Sequence, residues 1–218
     1  MTMLTSPLKI GLVGCGAMGT AVADAILRGL VKDAELLIVY DSVLHLAEKI
    51  ATKSAGKVHV ATELQDIVDS KDVNLVVEAA SQVAVRQYLP SILRARKNVL
   101  IMSVGAFADR AFFEEMKSLA IQNSCKLLIP SGAIGGLDAL KSARLAGLSK
   151  VTIRTRKPPK TLEGAPFVID NRIDLSSIRE PRVLYEGPAK VAASLFPASV
   201  NVAITLSLAG LGPDETIC

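Results

Sequence analysis

Hydrophobic and polar positions follow two alternating rhythms along this chain. Short runs rich in branched apolar residues recur at Leu8 to Val13, Ala34 to Asp41, Lys57 to Thr62, Asn74 to Ala80 and Asn98 to Val104. Between them, apolar residues recur at helical spacing, as in Val22, Ile26, Leu27 and Leu30, and again in VLHLAEKIATKS, LQDIVDS and QVAVRQYLPSILRAR. Continuous apolar strands alternating with amphipathic helices predict a parallel sheet covered on both faces. Beyond Gly105 the alternation continues. DRAFFEEMKSLAIQNS reads as a helix opened by Asp109 as N-cap, CKLLIPSGAIGGLDALKSARLAG as strand, glycine loop and helix, KVTIRTRK as an alternating strand, and RVLYEG as a short strand. Pro188 stands at the first position of a helix in PAKVAASLF, and NVAITLSLAG is a further helix ending at Gly210. The expected fold is α/β, with two domains: residues 1–107 and residues 108–218.

Three glycines interrupt this pattern where the first strand meets the first helix: Gly14-x-Gly16-x-x-Gly19. Glycine inside an element costs about 0.5–1 kcal/mol relative to alanine, so the placement asks for a reason. A dinucleotide site supplies one. The first glycine permits a tight turn, the second lets backbone approach a diphosphate, and the third lets helix and strand pack closely. The helix start, with the amides of Ala17 and Met18, offers unpaired donors and the positive end of the helix dipole. An acid is expected at the end of the second strand to bind ribose hydroxyls, and Asp41 stands there, 22 residues after Gly19. The alternatives are a tight turn without a ligand and, for Asp41, a cap for the following helix. An acid at that place favours NAD over NADP, whose 2′-phosphate would meet like charge, without excluding NADP.

Composition narrows the class. The chain has 218 residues, half of them hydrophobic, and a formal net charge of +4. Mean hydropathy is +0.39, but no apolar run reaches the ~18 residues a membrane span needs. No signal peptide is read in MTMLTSPLKI, so a cytoplasmic protein is expected. Cys15, Cys125 and Cys218 are scattered and form no CxxC, which suggests neither a metal site nor a disulfide framework. Cys15 reads as a small loop residue, since no histidine neighbours it in sequence. The basic stretch Arg154 to Lys160 lacks interleaved aromatics and reads as a solvated loop, so no nucleic-acid partner is expected.

A second glycine loop, Pro130 to Leu140 (PSGAIGGLDAL), repeats the strand, loop and helix arrangement. Gly132, Gly135 and Gly136 either expose amides to an anion at a helix start or only supply positive φ for a sharp turn. Ala80, Ser81 and Gln82, just past the fourth strand, and SVGAFA after the fifth lie at the carboxyl edge of the sheet, where ligands bind in such folds.

The segments VEAASQVAV, SVGAFADRAFF, PSGAIGGLDAL, TRKPP, LEGAP and LYEGPAKVAASLFPASVNVAITLSLAG together resemble the L-aspartate dehydrogenase family of archaea and bacteria. The resemblance implies a Rossmann-type domain followed by a mixed α/β domain that also mediates dimerisation. It implies oxidation of L-aspartate to iminoaspartate with NAD or NADP, feeding quinolinate and NAD biosynthesis. It maps cofactor contacts onto Ala133 and Asn201. Asn201 could otherwise serve only as the N-cap of its helix. Ser131, Gly132, Gly135 and Asn201 are then candidates for the substrate's carboxylates. The resemblance also implies a catalytic histidine in an Asn-x-His motif after LSLAG. This chain ends at Cys218 and contains only His45 and His59, neither in such a motif. The expectation is a chain shortened at its C-terminus, as a fragment or through a shifted frame near GPDETIC, with its catalytic base unassigned. Other readings are a related reductase of the dihydrodipicolinate or homoserine dehydrogenase type, and a non-catalytic NAD-binding module.

Overall fold

The computed structural model describes residues 7–218. The chain divides into two units. The first is built from residues up to Ser103 together with Glu114–Pro130, and the second from Val104–Phe113 together with Ser131–Cys218.

The first unit is a six-stranded sheet: β1 (Leu8–Val13), β2 (Ala34–Tyr40), β3 (His59–Val60), β4 (Leu75–Glu78), β5 (Asn98–Ile101) and β6 (Leu127–Leu128). The strand order is β3-β2-β1-β4-β5-β6, and every pairing is parallel. Helices α1 (Ala17–Leu27), α2 (Leu44–Lys53), α3 (Leu64–Asp69), α4 (Gln82–Arg94) and α5 (Arg110–Gln122) connect them. A parallel sheet needs cover on both faces, and the sequence supplies it residue by residue. Ile10 and Leu12 pack with Ala23 and Ile26 of α1, and with Ala47 and Ile50 of α2. On Gly11, a Cβ would come within 2.8 Å of the Ile67 side chain, so α3 covers the other face closely. The order reverses at β1: β2 lies on one side and β4 on the other. That opens a crevice at the carboxyl ends of these strands.

Local chemistry sets the helix ends. The α1 helix stops at Leu27, short of the expected Leu30, because Gly29 takes a positive φ of 69°. At α3, Glu63 and Asp66 form a reciprocal capping box. Ser81 caps α4 by accepting from the Ala84 N–H at 3.1 Å. Asp109 caps α5 as expected, accepting from the amides of Ala111 and Phe112.

The second unit contains α6 (Leu137–Ala146), β7 (Val151–Thr152), α7 (Pro166–Asp170), α8 (Ala189–Leu195), α9 (Asn201–Ala209) and β8 (Thr216–Ile217). Strands β7 and β8 pair in parallel as a two-stranded sheet. A fully buried 3-10 turn, Val104–Ala108, places Phe107 against Phe112 and Phe113 at ring separations of 5.9 and 5.2 Å. Phe167, Tyr185 and Phe196 form a second aromatic cluster.

Three expectations need correction. The boundary is not a single cut after residue 107, because β6 pairs with β5 and residues 114–130 belong to the first unit. The alternation in Lys150 to Lys157 yields only the two residues of β7, where β8 offers a partner. Arg182 to Gly187 forms no strand. Alternation alone does not make a strand without a neighbour to take its hydrogen bonds.

Candidate functional site

The three fingerprint glycines do three different things. Gly14 has φ +93°, and a Cβ there would lie 2.6 Å from the Ala80 amide nitrogen and 2.7 Å from the Ala79 carbonyl. Only a residue without a side chain can hold that conformation against that peptide. At Gly19 a Cβ would fall 1.9 Å from the Gly14 carbonyl oxygen, so the helix can sit on the loop only if bare. Gly16 differs: among the described residues, a Cβ there meets nothing within 4 Å. The packing leaves open the space that a ligand's diphosphate would need. Gly16 is also the N-cap of α1 and makes no side-chain capping bond, and the first turn carries no acid. The α1 amides and the positive end of its dipole are left uncompensated, an arrangement suited to an anion.

Asp41 follows β2 and faces this loop. Its Oδ2 accepts from the Cys15 N–H at 2.6 Å, and its Oδ1 accepts from the Val43 N–H at 2.8 Å. The carboxylate therefore anchors the glycine loop and caps the approach to α2, leaving further lone pairs on both oxygens. Cys15 is buried, and burial with the nearby Asp41 charge pushes its thiol up to about 12. Such a thiol is a packing group, since the thiolate is the nucleophilic form. A cleft of about 630 Å³ opens beside the loop, lined among others by Gly16, Ala17, Thr20, His45 and Lys49. His45 and His59 are both exposed.

At the end of β4, Glu78 is 2% exposed. Its Oε1 accepts from the amides of Ala80 and Ser81 at 2.8 and 3.0 Å and from the Ser103 hydroxyl at 2.8 Å. Its Oε2 accepts from the Ser103 N–H at 3.0 Å. Burial raises this carboxyl above the usual range, against the pull of those donors. The amides of Ala80 and Ser81 are thus engaged within the protein. Sequence reasoning did not single out Glu78, although an acid in the otherwise apolar run LVVEAA was a visible anomaly. Lys97 was missed as well: its buried ammonium donates to the Ser70 and Val73 carbonyls, away from the glycine loop on the chain's path from α4 to β5.

In the second unit, the loop Ser131–Gly136 runs into α6 with Gly132 at φ +59° and Gly136, the helix N-cap, at φ +75°. Gly135 and Gly136 have open space where a Cβ would sit, and at Gly132 the nearest atom is the Val202 side chain at 3.6 Å. Gly132 and Gly136 serve backbone conformation rather than close approach, whereas Gly135 takes no positive φ. Asn201 opens α9 one residue after its N-cap, Val200. Its Oδ1 accepts from the Gly105 N–H at 2.9 Å. It is therefore tied to the 3-10 turn and does not act as a helix cap. With Oδ1 engaged, the amide NH₂ is its remaining donor. Gly132, Val202, Asn201 and Gly105 form one neighbourhood in this unit.

Known proteins match both units. The family described as homoserine dehydrogenase, NAD binding domain, matches residues 14–130, and that described as aspartate dehydrogenase, C-terminal, matches residues 138–218. The L-aspartate dehydrogenase of Methanococcoides burtonii is 45% identical over 213 residues, covering 96% of this chain and 76% of that protein. The chain belongs to the L-aspartate dehydrogenase family. Its member from Methanocaldococcus jannaschii is 39% identical over 210 residues, covering 96% of this chain and 77% of the relative. The crystal structure of aspartate dehydrogenase from Thermotoga maritima superimposes with a TM-score of 0.73 at 31% identity, over 96% of this chain and 76% of that one. Membership makes the chain an NAD(P)-dependent oxidoreductase with a nicotinamide cofactor. Among the described residues no helix is long and apolar enough to cross a membrane.

Proposed function

We propose that this protein oxidises L-aspartate to iminoaspartate, with NAD(P) taking the hydride and a proton released, and that the imine feeds quinolinate and pyridine nucleotide formation. The substrate follows from family membership. The observation that carries the cofactor half is Gly16, whose missing side chain would occupy empty space beside an uncapped helix start.

Bound nicotinamide supplies the hydride acceptor. The chain's own residues bind and orient. The amides of Ala17 and Met18 take the diphosphate, and Gly14 and Gly19 hold the loop that presents them. Asp41 meets the ribose hydroxyls with the lone pairs its backbone bonds leave over, and disfavours the extra phosphate of NADP by like charge. In the second unit, the Ser131 hydroxyl, the amides of Ala133, Gly132 and Gly135 and the Asn201 NH₂ are donors suited to carboxylates and to the cofactor's carboxamide. An ammonium has no lone pair for a C=N bond, so the substrate's amine must lose a proton before or as the hydride leaves. We assign the second unit to substrate binding and to a homodimer contact.

Gly16→Val tests this reading. Its side chain enters open space, so stability should stay within about 0.5 kcal/mol of the parent. Affinity for NADH in a calorimetric titration should fall at least about tenfold. Unchanged affinity overturns the assignment. Formation of reduced nicotinamide is then followed with L-aspartate and, in parallel, with homoserine. Turnover of L-aspartate supports the dehydrogenase. Faster turnover of homoserine favours the related reductases. Cofactor binding with neither turnover leaves a non-catalytic module.

A further inference from the structure

Glu78 is a buried carboxyl, and among the described residues no basic side chain bonds it. Its oxygens accept four hydrogen bonds, from the amides of Ala80, Ser81 and Ser103 and from the Ser103 hydroxyl. Burying a carboxylate is costly unless every lone pair is used, and here the bonds come from both sides. Ala80 and Ser81 form the turn after β4. Ser103 follows β5. The carboxylate therefore fastens two neighbouring strand ends to each other. Ser81 is also the N-cap of the thirteen-residue α4, so the carboxyl sits at the positive end of that helix, which favours its ionised form.

The turn so fixed is the one the glycine loop rests on. The Ala79–Ala80 peptide lies where a Gly14 Cβ would clash, and Glu78 pairs in register with Val13, the residue before Gly14. In a doubly wound sheet the two halves of a dinucleotide lie on opposite sides of the switch point. Asp41 marks the β2 side as the adenosine half. The strand ends that Glu78 joins, β4 and β5, are the other half.

We propose that Glu78 is a positioning residue for the nicotinamide half of the cofactor: its carboxylate holds the β4 turn and the β5 end in the relative placement that half requires. This rests on the dinucleotide reading above. Glu78 touches no cofactor atom itself; its amide and hydroxyl partners set the backbone path along which the nicotinamide riboside lies. A neutral amide cannot replace it, because Glu78→Gln puts an NH₂ donor against at least one of four donors.

The test compares NADH with ADP-ribose, which lacks the nicotinamide, on the whole chain. In Glu78→Gln the Kd for NADH should rise about tenfold, while that for ADP-ribose rises less than about threefold. Equal losses for both probes, or no loss for NADH, overturn the proposal, because a merely structural role lowers both alike. Should Glu78→Gln fail to fold, Ser103→Ala decides. It removes a single hydroxyl donor and should weaken NADH about threefold with ADP-ribose unchanged; parallel behaviour of the probes overturns the proposal there too. If the parent binds neither probe, the dinucleotide reading itself fails, and this proposal with it.

Discussion

The two glycine loops look alike in sequence and differ in what makes them glycine. In Gly14–Gly19 the requirement is space, with a positive φ added at Gly14: backbone lies 1.9 Å from a Cβ at Gly19 and 2.6 Å from one at Gly14. In Ser131–Gly136 the requirement is angle: Gly132 and Gly136 have positive φ, and no backbone crowds them. The helix starts differ as well. No acid stands in the first turn of α1, whereas α6 has Asp138 there, partly offsetting its dipole. The first loop is thus a packed cradle with one opening, at Gly16. The second is a positive-φ turn whose helix start is already partly compensated. A glycine count cannot tell these apart; the neighbours of the absent Cβ can.

The largest expected effect tests the spatial requirement. Gly19→Ala should cost at least about 3 kcal/mol by denaturant unfolding, since the methyl meets backbone that cannot turn aside. A loss under about 1 kcal/mol would show that α1 can lift from the loop, and the comparison would break.

Next comes a pair within the second loop. Gly136→Ala should cost about 1 kcal/mol, the price of a left-handed alanine. Gly135→Ala, in open space and without positive φ, should lose nothing and gain up to about 0.5 kcal/mol by restricting the unfolded chain. If both lose alike, angle is not what the second loop needs.

The smallest effect contrasts the uncapped α1 with the boxed α3. Backbone N–H groups of Glu63 and Thr62 hold the Asp66 carboxyl below its usual range. A depressed carboxyl stabilises the fold above its unfolded pKa, and that contribution disappears as pH falls through the folded value. Asp66→Asn should therefore lower Tm at neutral pH, and the gap to the parent should close as pH falls below the usual carboxylate range. A gap that persists in acid would assign the effect to shape rather than charge.

How much of this was legible followed the range of each signal. The strand, glycines, helix and Asp41 lie within one short stretch, and local periodicity with one acid at the right spacing carried them. Asp109 was readable as a cap for the same reason. Asn201 was not assignable from its own neighbourhood, because its partner Gly105 lies 96 residues away; the family resemblance, not periodicity, pointed to it. The pairing of β6 with β5 was hidden, since Leu127–Leu128 gives no sign of which sheet will accept it. Lys150 to Lys157 alternates convincingly yet finds a partner for only two residues. Glu78 was legible as an anomaly but not as a hub, because its donors come from two separate strand ends.

The return of β6 to the first sheet has a consequence for synthesis. The chain that completes this sheet is not contiguous: after β5 ends at Ile101, it runs through Val104–Phe113 before Leu127–Leu128 arrives. At roughly 5–20 residues per second, the ribosome takes about 1–5 s to make that interval. Until then the outer edge of β5 presents unpaired backbone, a template for another nascent chain. Chaperone demand on this protein should accordingly peak in that window, and the last strand added to the sheet, only two residues long, is what ends it.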